Sequence, residues 1–299
     1  MLVSKFSGVI AYTVTPFTDD GEVNTNALTN ALTNVINKLI NTGASAIAAL
    51  GSAGECAYLE DHEWELVTEQ SIKSVDKRLP IIIGISELTT RKAIQKAIFA
   101  EEKGADAVMV APLVYYPLSE DEIYEHYSSI SAAISIPIMV YSNPVSSGVE
   151  MSAEFMLSMV QGIEQVCMIK ESSVDINRVN TIKRLCGDTA AVFAGCNYLA
   201  LDALKAGIDG WCTAAPNLIG DGATRIVNAV NNNDVELAEK LFEHYENLLT
   251  FMVEKGLART VKAGLQLKGI AAGTPRKPLK VLSEENTTRL AKLLTDLDE

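Results

Sequence analysis

Eight short apolar runs recur along the chain, at residues 9–12, 46–50, 81–85, 107–111, 136–141, 166–169, 190–194 and 210–214. Each is bounded by Gly, Pro, Asp or Asn, and each is followed by a segment long enough for a helix. Runs that are apolar throughout, not alternately, suit strands covered on both faces, as in a parallel sheet wrapped by helices. The stretches between them carry helical spacing, for example 26–40, 121–134, and 89–103 after the break at Ser86-Glu87-Leu88; Gly43, Gly104 and Gly207 stand where a helix has to stop. Eight βα units in succession predict an α/β fold, the (β/α)8 TIM barrel, over residues 1–222. Helical spacing resumes at 235–255, 260–270 and 283–297, so residues 223–299 are assigned to a C-terminal helical extension packed on the barrel. The rival, a doubly wound open sheet, would be favoured by a G-x-G-x-x-G turn after the first strand. Gly51-Ser52-Ala53-Gly54-Glu55 has neither that spacing nor the Lys-Ser/Thr of a phosphate-binding loop.

Composition narrows the functional classes. At 299 residues, 48% hydrophobic and 21% charged, the chain is long enough to bury a sizeable core. Its apolar runs fall far short of the ~20 residues of a membrane span, and residues 1–8 carry no apolar leader, which predicts a cytoplasmic protein. A net charge of −13 argues against nucleic acid and anionic membrane surfaces as partners. It leaves room for a small anionic substrate, because a site needs only a few local donors. Five widely spaced cysteines, odd in number and without a C-x-x-C pair, argue against a disulfide framework and a zinc knuckle, and most read as reduced core residues.

In a barrel of this kind reactive groups lie at the carboxyl ends of the strands. The first run leads to Thr13-Val14-Thr15-Pro16-Phe17, the second to Gly51-Ser52-Ala53-Gly54-Glu55 and the fourth to Tyr115-Tyr116; the fifth ends at Tyr141, the sixth at Lys170, and the last two yield Gly195 and Thr213. A lysine closing a strand more commonly reaches into water. Burial would disfavour its ammonium form and suit it to attack a carbonyl, and its company along the chain favours that chemistry. The small residues Gly51 and Ala53, with the Ser52 hydroxyl, let backbone N–H groups approach a carboxylate. Tyr141 is placed to pass a proton at the carbon attacked by Lys170, with Ser52 and Tyr115 relaying it. Glu55 and Glu171 read as loop-solvating or helix-capping carboxylates. His62, His126 and His244 lie inside helical segments without ligand spacing, and there is no H-E-x-x-H or G-x-S-x-G motif, so no metal and no cofactor are expected.

Thr15-Pro16-Phe17, Gly51-Ser52-Ala53-Gly54-Glu55, Tyr141 with Pro144 and Gly148, Ile169-Lys170-Glu171 and Pro275-Arg276-Lys277-Pro278-Leu279 resemble, in order and over nearly the whole chain, the dihydrodipicolinate synthase / N-acetylneuraminate lyase family. The resemblance implies a class I aldolase-type enzyme in which Lys170 forms a Schiff base with pyruvate or another 2-keto acid. It makes Tyr141 the proton-transferring tyrosine, Ser52 the first hydroxyl of the carboxylate loop, and Tyr115, or its neighbour Tyr116, the tyrosine lent by an adjacent subunit. Gly51, Ala53, Thr15, Ser146, Gly195 and Thr213 complete the expected substrate-binding set, and a homo-oligomer, dimer or tetramer, is implied. Two positions depart from the synthase pattern: Ala53 replaces a second threonine, and Ser146 stands where an arginine holds the second substrate's carboxylate. Ser142, Ser146, Ser147 and Glu171-Ser172-Ser173 point instead to a hydroxylated tail. The leading expectation is therefore a 2-keto-3-deoxy sugar acid aldolase or dehydratase. Dihydrodipicolinate synthase is the alternative and a sialic acid lyase the third; a non-catalytic 2-keto acid sensor is the reading from another class.

Overall fold

The structure, a computed structural model, describes residues 6–18, 20–23 and 25–297, without the side chains of residues 25–28. Residues 1–5, part of the amino-terminal stretch on which the expectation about a leader rests, lie outside the described residues. Eight parallel strands close into a barrel in sequence order: β1 (Gly8–Tyr12), β2 (Ala46–Ala49), β3 (Ile81–Gly84), β4 (Ala107–Val110), β5 (Ile138–Ser142), β6 (Val166–Glu171), β7 (Ala191–Ala194) and β8 (Gly210–Thr213), with β8 returning to pair β1. Apart from Gly8 every strand residue is buried, which is why the runs are apolar throughout.

Helices cover the outside, and side chains fix their ends. Ser119 and Glu122 form a reciprocal capping box that opens the helix Glu120–Ser131. Thr89 accepts from Lys92 N at the start of Thr90–Lys103, and Gly104, at φ 100°, ends it in a conformation a Cβ would oppose. The carboxyl-terminal helices are Val235–Lys255, Leu257–Leu267 and Glu284–Asp296. The middle one begins and ends earlier than its apolar spacing predicts, because Gly256 (φ 92°) breaks the preceding helix and Gly269 (φ 75°) lies just beyond its end. Among the described residues no helix is long and apolar enough to cross a membrane.

Two strand boundaries bear on the site. β5 starts after Pro137, which has no N–H to give the ladder. β6 continues past its apolar run, so Lys170 and Glu171 belong to the strand and not to the loop behind it.

Candidate active site

The lysine is built into the barrel by register. Tyr141 pairs with Lys170 across β5 and β6, and Lys170 pairs with Phe193 on β7. Laterally paired residues of a parallel sheet point to the same face, so these three side chains stand together in the barrel. Lys170 is 5% exposed. Its Nζ lies 4.0 Å from the ring centroid of Tyr141 and 4.0 Å from that of Tyr12. The lysine stem passes where Gly195 has no side chain: a Cβ there would stand 2.8 Å from Lys170 Cε and would overlap the Ser172 hydroxyl. The Tyr141 hydroxyl accepts a hydrogen bond from Asn143 Nδ2 at 2.7 Å, and Asn143 also caps the short helix Pro144–Ser147.

Sequence reasoning missed Tyr12 and Cys212. Tyr12 donates to Met109 Sδ at 2.9 Å, and burial, with the Cys212 and Tyr141 groups beside it, holds its phenol well above the usual range. Burial likewise pushes the Cys212 thiol up to about 11, against the opposing pull of Lys170. The available signal was register: Tyr12 closes β1 two residues beyond Ile10, and Ile10 pairs with Cys212 on β8.

The glycine segment after β2 is a 3-10 turn, Ser52–Gly54, entered through Leu50 at φ 61°. Such a conformation is unfavourable for leucine. It persists because the Leu50 carbonyl occupies the space left by the missing Cβ of Gly84. Gly51 packs closely against Tyr12, where a Cβ would come within 2.8 Å of two ring carbons. Ser52 is exposed and faces the cavity, whereas Ala53 packs into the core. Thr15 does not reach the cavity wall; its hydroxyl donates to Gly54 O at 2.7 Å and so braces the turn.

Both carboxylates read as solvated or capping are in fact buried ion-pair partners. Glu55 accepts from Lys262 Nζ at 2.5 Å and from Arg276 N at 2.8 Å, which fastens the carboxyl-terminal segment to the glycine turn. Lys262 and the Arg276 guanidinium lie over the Phe17 ring at 4.1 and 4.5 Å, and Arg276 also pairs with Glu63 at 2.5 Å. Burial draws Lys262 down to about 8 even though Glu55 opposes the shift. Glu171 receives Arg178 Nε at 3.0 Å and Ser173 N at 2.7 Å. Arg178, further held by the Met151 carbonyl, is thereby engaged behind the strand and does not line the cavity.

A cavity of about 200 Å³ opens outside this cluster, walled by Gly51, Ser52, Met109, Tyr141, Asn143 and Ser146 among others, with no lysine or arginine in its lining. On the β6–β8 side Thr213 Oγ1 donates to Asn197 Oδ1 at 2.9 Å, while Asn197 Nδ2 and the Ser172 hydroxyl are buried without a hydrogen-bond partner. Tyr115 and Tyr116 are 83% and 75% exposed on the loop after β4, outside this cavity. Among the described residues no group of three or more His, Cys, Asp or Glu side chains is placed to hold a metal ion. His126, half-buried against the Thr90 hydroxyl, is drawn below the ordinary imidazole range by burial.

Known proteins share both sequence and shape with this chain. Residues 5–297 match the model of the dihydrodipicolinate synthetase family. The 4-hydroxy-tetrahydrodipicolinate synthase of Archaeoglobus fulgidus is 30% identical over 293 residues, 98% of this chain and 99% of the relative. The crystal structure of a putative dihydrodipicolinate synthetase from Pseudomonas aeruginosa superposes with a TM-score of 0.94 at 43% identity, covering 98% of this chain and 99% of the other. A dihydrodipicolinate synthase from Acinetobacter baumannii, solved in complex with pyruvate, superposes at 0.91 with 26% identity and 98% of both chains covered. With a closed eight-stranded parallel barrel and a match spanning almost its full length, this chain belongs to the dihydrodipicolinate synthetase family, lyases and synthases that act through a lysine Schiff base.

Proposed function

We propose that Lys170 is the Schiff-base lysine and that its partner is pyruvate or a closely related 2-keto acid. The observation that carries this is the placement of Nζ: buried and bordered by the rings of Tyr12 and Tyr141, the first of which packs against Gly51 of the glycine turn. The neutral amine attacks the ketone carbon, the resulting carbinol loses water, and the protonated imine becomes the electron sink. Loss of a proton from C3 gives an enamine, which adds to an aldehyde; read backward, the same step cleaves a C3–C4 bond. Tyr141, held by Asn143, is the proton carrier at the carbinol, with Ser52 and a Tyr115 or Tyr116 from a neighbouring copy in the relay. The substrate carboxylate is assigned to the Ser52 and Ala53 N–H groups of the turn, since the Gly54 N–H is already bonded to the Gly51 carbonyl.

For the second partner, the relatives' shared name supports condensation with aspartate semialdehyde, the 4-hydroxy-tetrahydrodipicolinate synthase reaction, and this is the better supported of two readings. The second is cleavage or dehydration of a 2-keto-3-deoxy sugar acid. It draws support from a cation-free wall with Ser146 in the arginine's place, and from the unpartnered Ser172 hydroxyl and Asn197 amide, which would meet substrate hydroxyls. Borohydride reduction in the presence of pyruvate, followed by intact mass, tests the shared step: one irreversible adduct is expected in the wild type and none in Lys170→Ala. An unmodified wild type, or a fully active Lys170→Ala, refutes it. Assaying pyruvate with aspartate semialdehyde beside a panel of 2-keto-3-deoxy sugar acids then decides the partner by turnover.

A further inference from the structure

The imine forms at one nitrogen, and the residue that shapes the space on its inner side is on β1. Tyr12 is 3% exposed and does not line the outer cavity, so it meets only what reaches Lys170. Its ring is fixed from three directions. The hydroxyl is bonded across the barrel to Met109 Sδ at 2.9 Å, the Cys212 thiol stands beside it from β8, and the Gly51 backbone closes against two of its ring carbons, with no room for a Cβ. The centroid stands 4.0 Å from Lys170 Nζ, the same distance as that of Tyr141, whose own hydroxyl is held by Asn143. Two tethered rings therefore border the nitrogen.

We propose that Tyr12 is a specificity-determining residue, the inner wall that confines the Lys170 adduct to 2-keto acids with an unbranched methyl or methylene at C3. The proposal rests on the Schiff-base reading of Lys170. In the imine both substituents of the former ketone carbon lie about 2.5 Å from the nitrogen by ordinary bond lengths. Carbon atoms in contact sit about 3.5–4.0 Å apart, so a flat adduct already fills the distance to a ring centred 4.0 Å from the nitrogen. A methyl or methylene carbon stays in the plane of the imine. A branched C3 drives one heavy atom out of that plane toward a ring that has no room to retreat, and interiors accommodate such overlap poorly. The phenol stays protonated as the donor to Met109, so Tyr12 acts by shape and leaves proton transfer to Tyr141.

The test is the rate of borohydride trapping, by intact mass, of pyruvate, 2-oxobutanoate and the branched 3-methyl-2-oxobutanoate in the wild type, Tyr12→Phe, Tyr12→Leu and Tyr12→Ala. The wild type should trap the two unbranched acids within about tenfold of each other and the branched acid about a hundredfold more slowly than pyruvate, the scale on which pockets discriminate by a carbon or two. Tyr12→Phe, which keeps the ring, should keep the gap. Tyr12→Leu and Tyr12→Ala should shrink it below about tenfold whatever their absolute rates. Leucine retains most of the buried volume and serves where alanine leaves the barrel unfolded by circular dichroism. A gap as wide in Tyr12→Leu as in the wild type, a gap lost in Tyr12→Phe, or a wild type that traps all three acids alike overturns the proposal alone. No pyruvate adduct in the wild type overturns the Schiff-base reading and takes this proposal with it.

Discussion

Lys262→Met would show how much the carboxyl-terminal segment contributes to holding the glycine turn. Methionine approximates the lysine stem and keeps apolar contact with Phe17, so the perturbation is chiefly the loss of one buried cation. Glu55 would be left with the Arg276 N–H at 2.8 Å as its partner, in a place where the side chains of both Glu55 and Lys262 are 1% exposed. Stripping a buried charge of its counter-ion costs about 3–5 kcal/mol. In the double variant, Glu55→Gln with Lys262→Met, both charges are gone and the glutamine carbonyl still receives the Arg276 N–H. What remains lost are the bonds from Lys262 to Glu55 and to Thr274 O, about 1–2 kcal/mol together. The double variant should therefore be more stable than Lys262→Met alone by about 2–3 kcal/mol, the difference between those two costs. Urea unfolding at neutral pH and fixed protomer concentration reads these quantities directly. A single variant within about 1 kcal/mol of the wild type, the scale of an exposed pair, would refute the reasoning. So would a double variant no more stable than the single one.

Three further outcomes follow from the same geometry. Gly195→Ala places a Cβ 2.8 Å from Lys170 Cε, which should cost about 1–3 kcal/mol in overpacking and slow borohydride trapping of pyruvate by about a hundredfold through displacement of the amine; trapping at the wild-type rate would show that the lysine does not work from this position. Ser146→Arg adds the missing guanidinium to the cavity wall and should lower KM for aspartate semialdehyde by about ten- to hundredfold, equivalent to about 1.5–3 kcal/mol; an unchanged KM would place that carboxylate elsewhere. Burial holds Lys262 at about 8 in the fold, whereas an unfolded lysine titrates near 10.4, so between those values the unfolded chain binds the extra proton. Stability relative to Lys262→Met should accordingly rise with pH through that window and stay level below it, and parallel pH curves for the two proteins would contradict the assignment.

What could be read from the sequence was whatever leaves a one-dimensional trace. Every predicted strand exists, displaced by no more than two residues at either end, because a strand buried on both faces must be apolar throughout. That Lys170 and Tyr141 stand together could be anticipated because strand ends in this fold point side chains toward one mouth. Ala53 and Thr15 were placed in the same constellation by their loops alone. The loops do sit at the mouth, but which atoms face the cavity depends on turn geometry: a 3-10 turn aims Ser52 outward and Ala53 inward, and Thr15 spends its hydroxyl on Gly54.

The remainder was hidden because it depends on pairing across long separations. Glu55 looked like a solvated loop residue, and nothing within ten positions of it supplies a buried cation; its partner is 207 residues away. Tyr12 stood in the sequence only as the last residue of an apolar run, yet its ring packs against the amine of Lys170. The misreading of Glu55 and the silence on Tyr12 have one physical origin. A charge or an aromatic ring takes its role from what the closed barrel brings beside it, and closure joins β1 to β8, the two strands farthest apart in the sequence. The most consequential neighbours of this site, Tyr12 from the first strand and Lys262 from beyond the eighth, come from the two ends of the chain that closure brings together. Substitutions at those ends should thus alter catalysis without touching any motif by which the family is recognised.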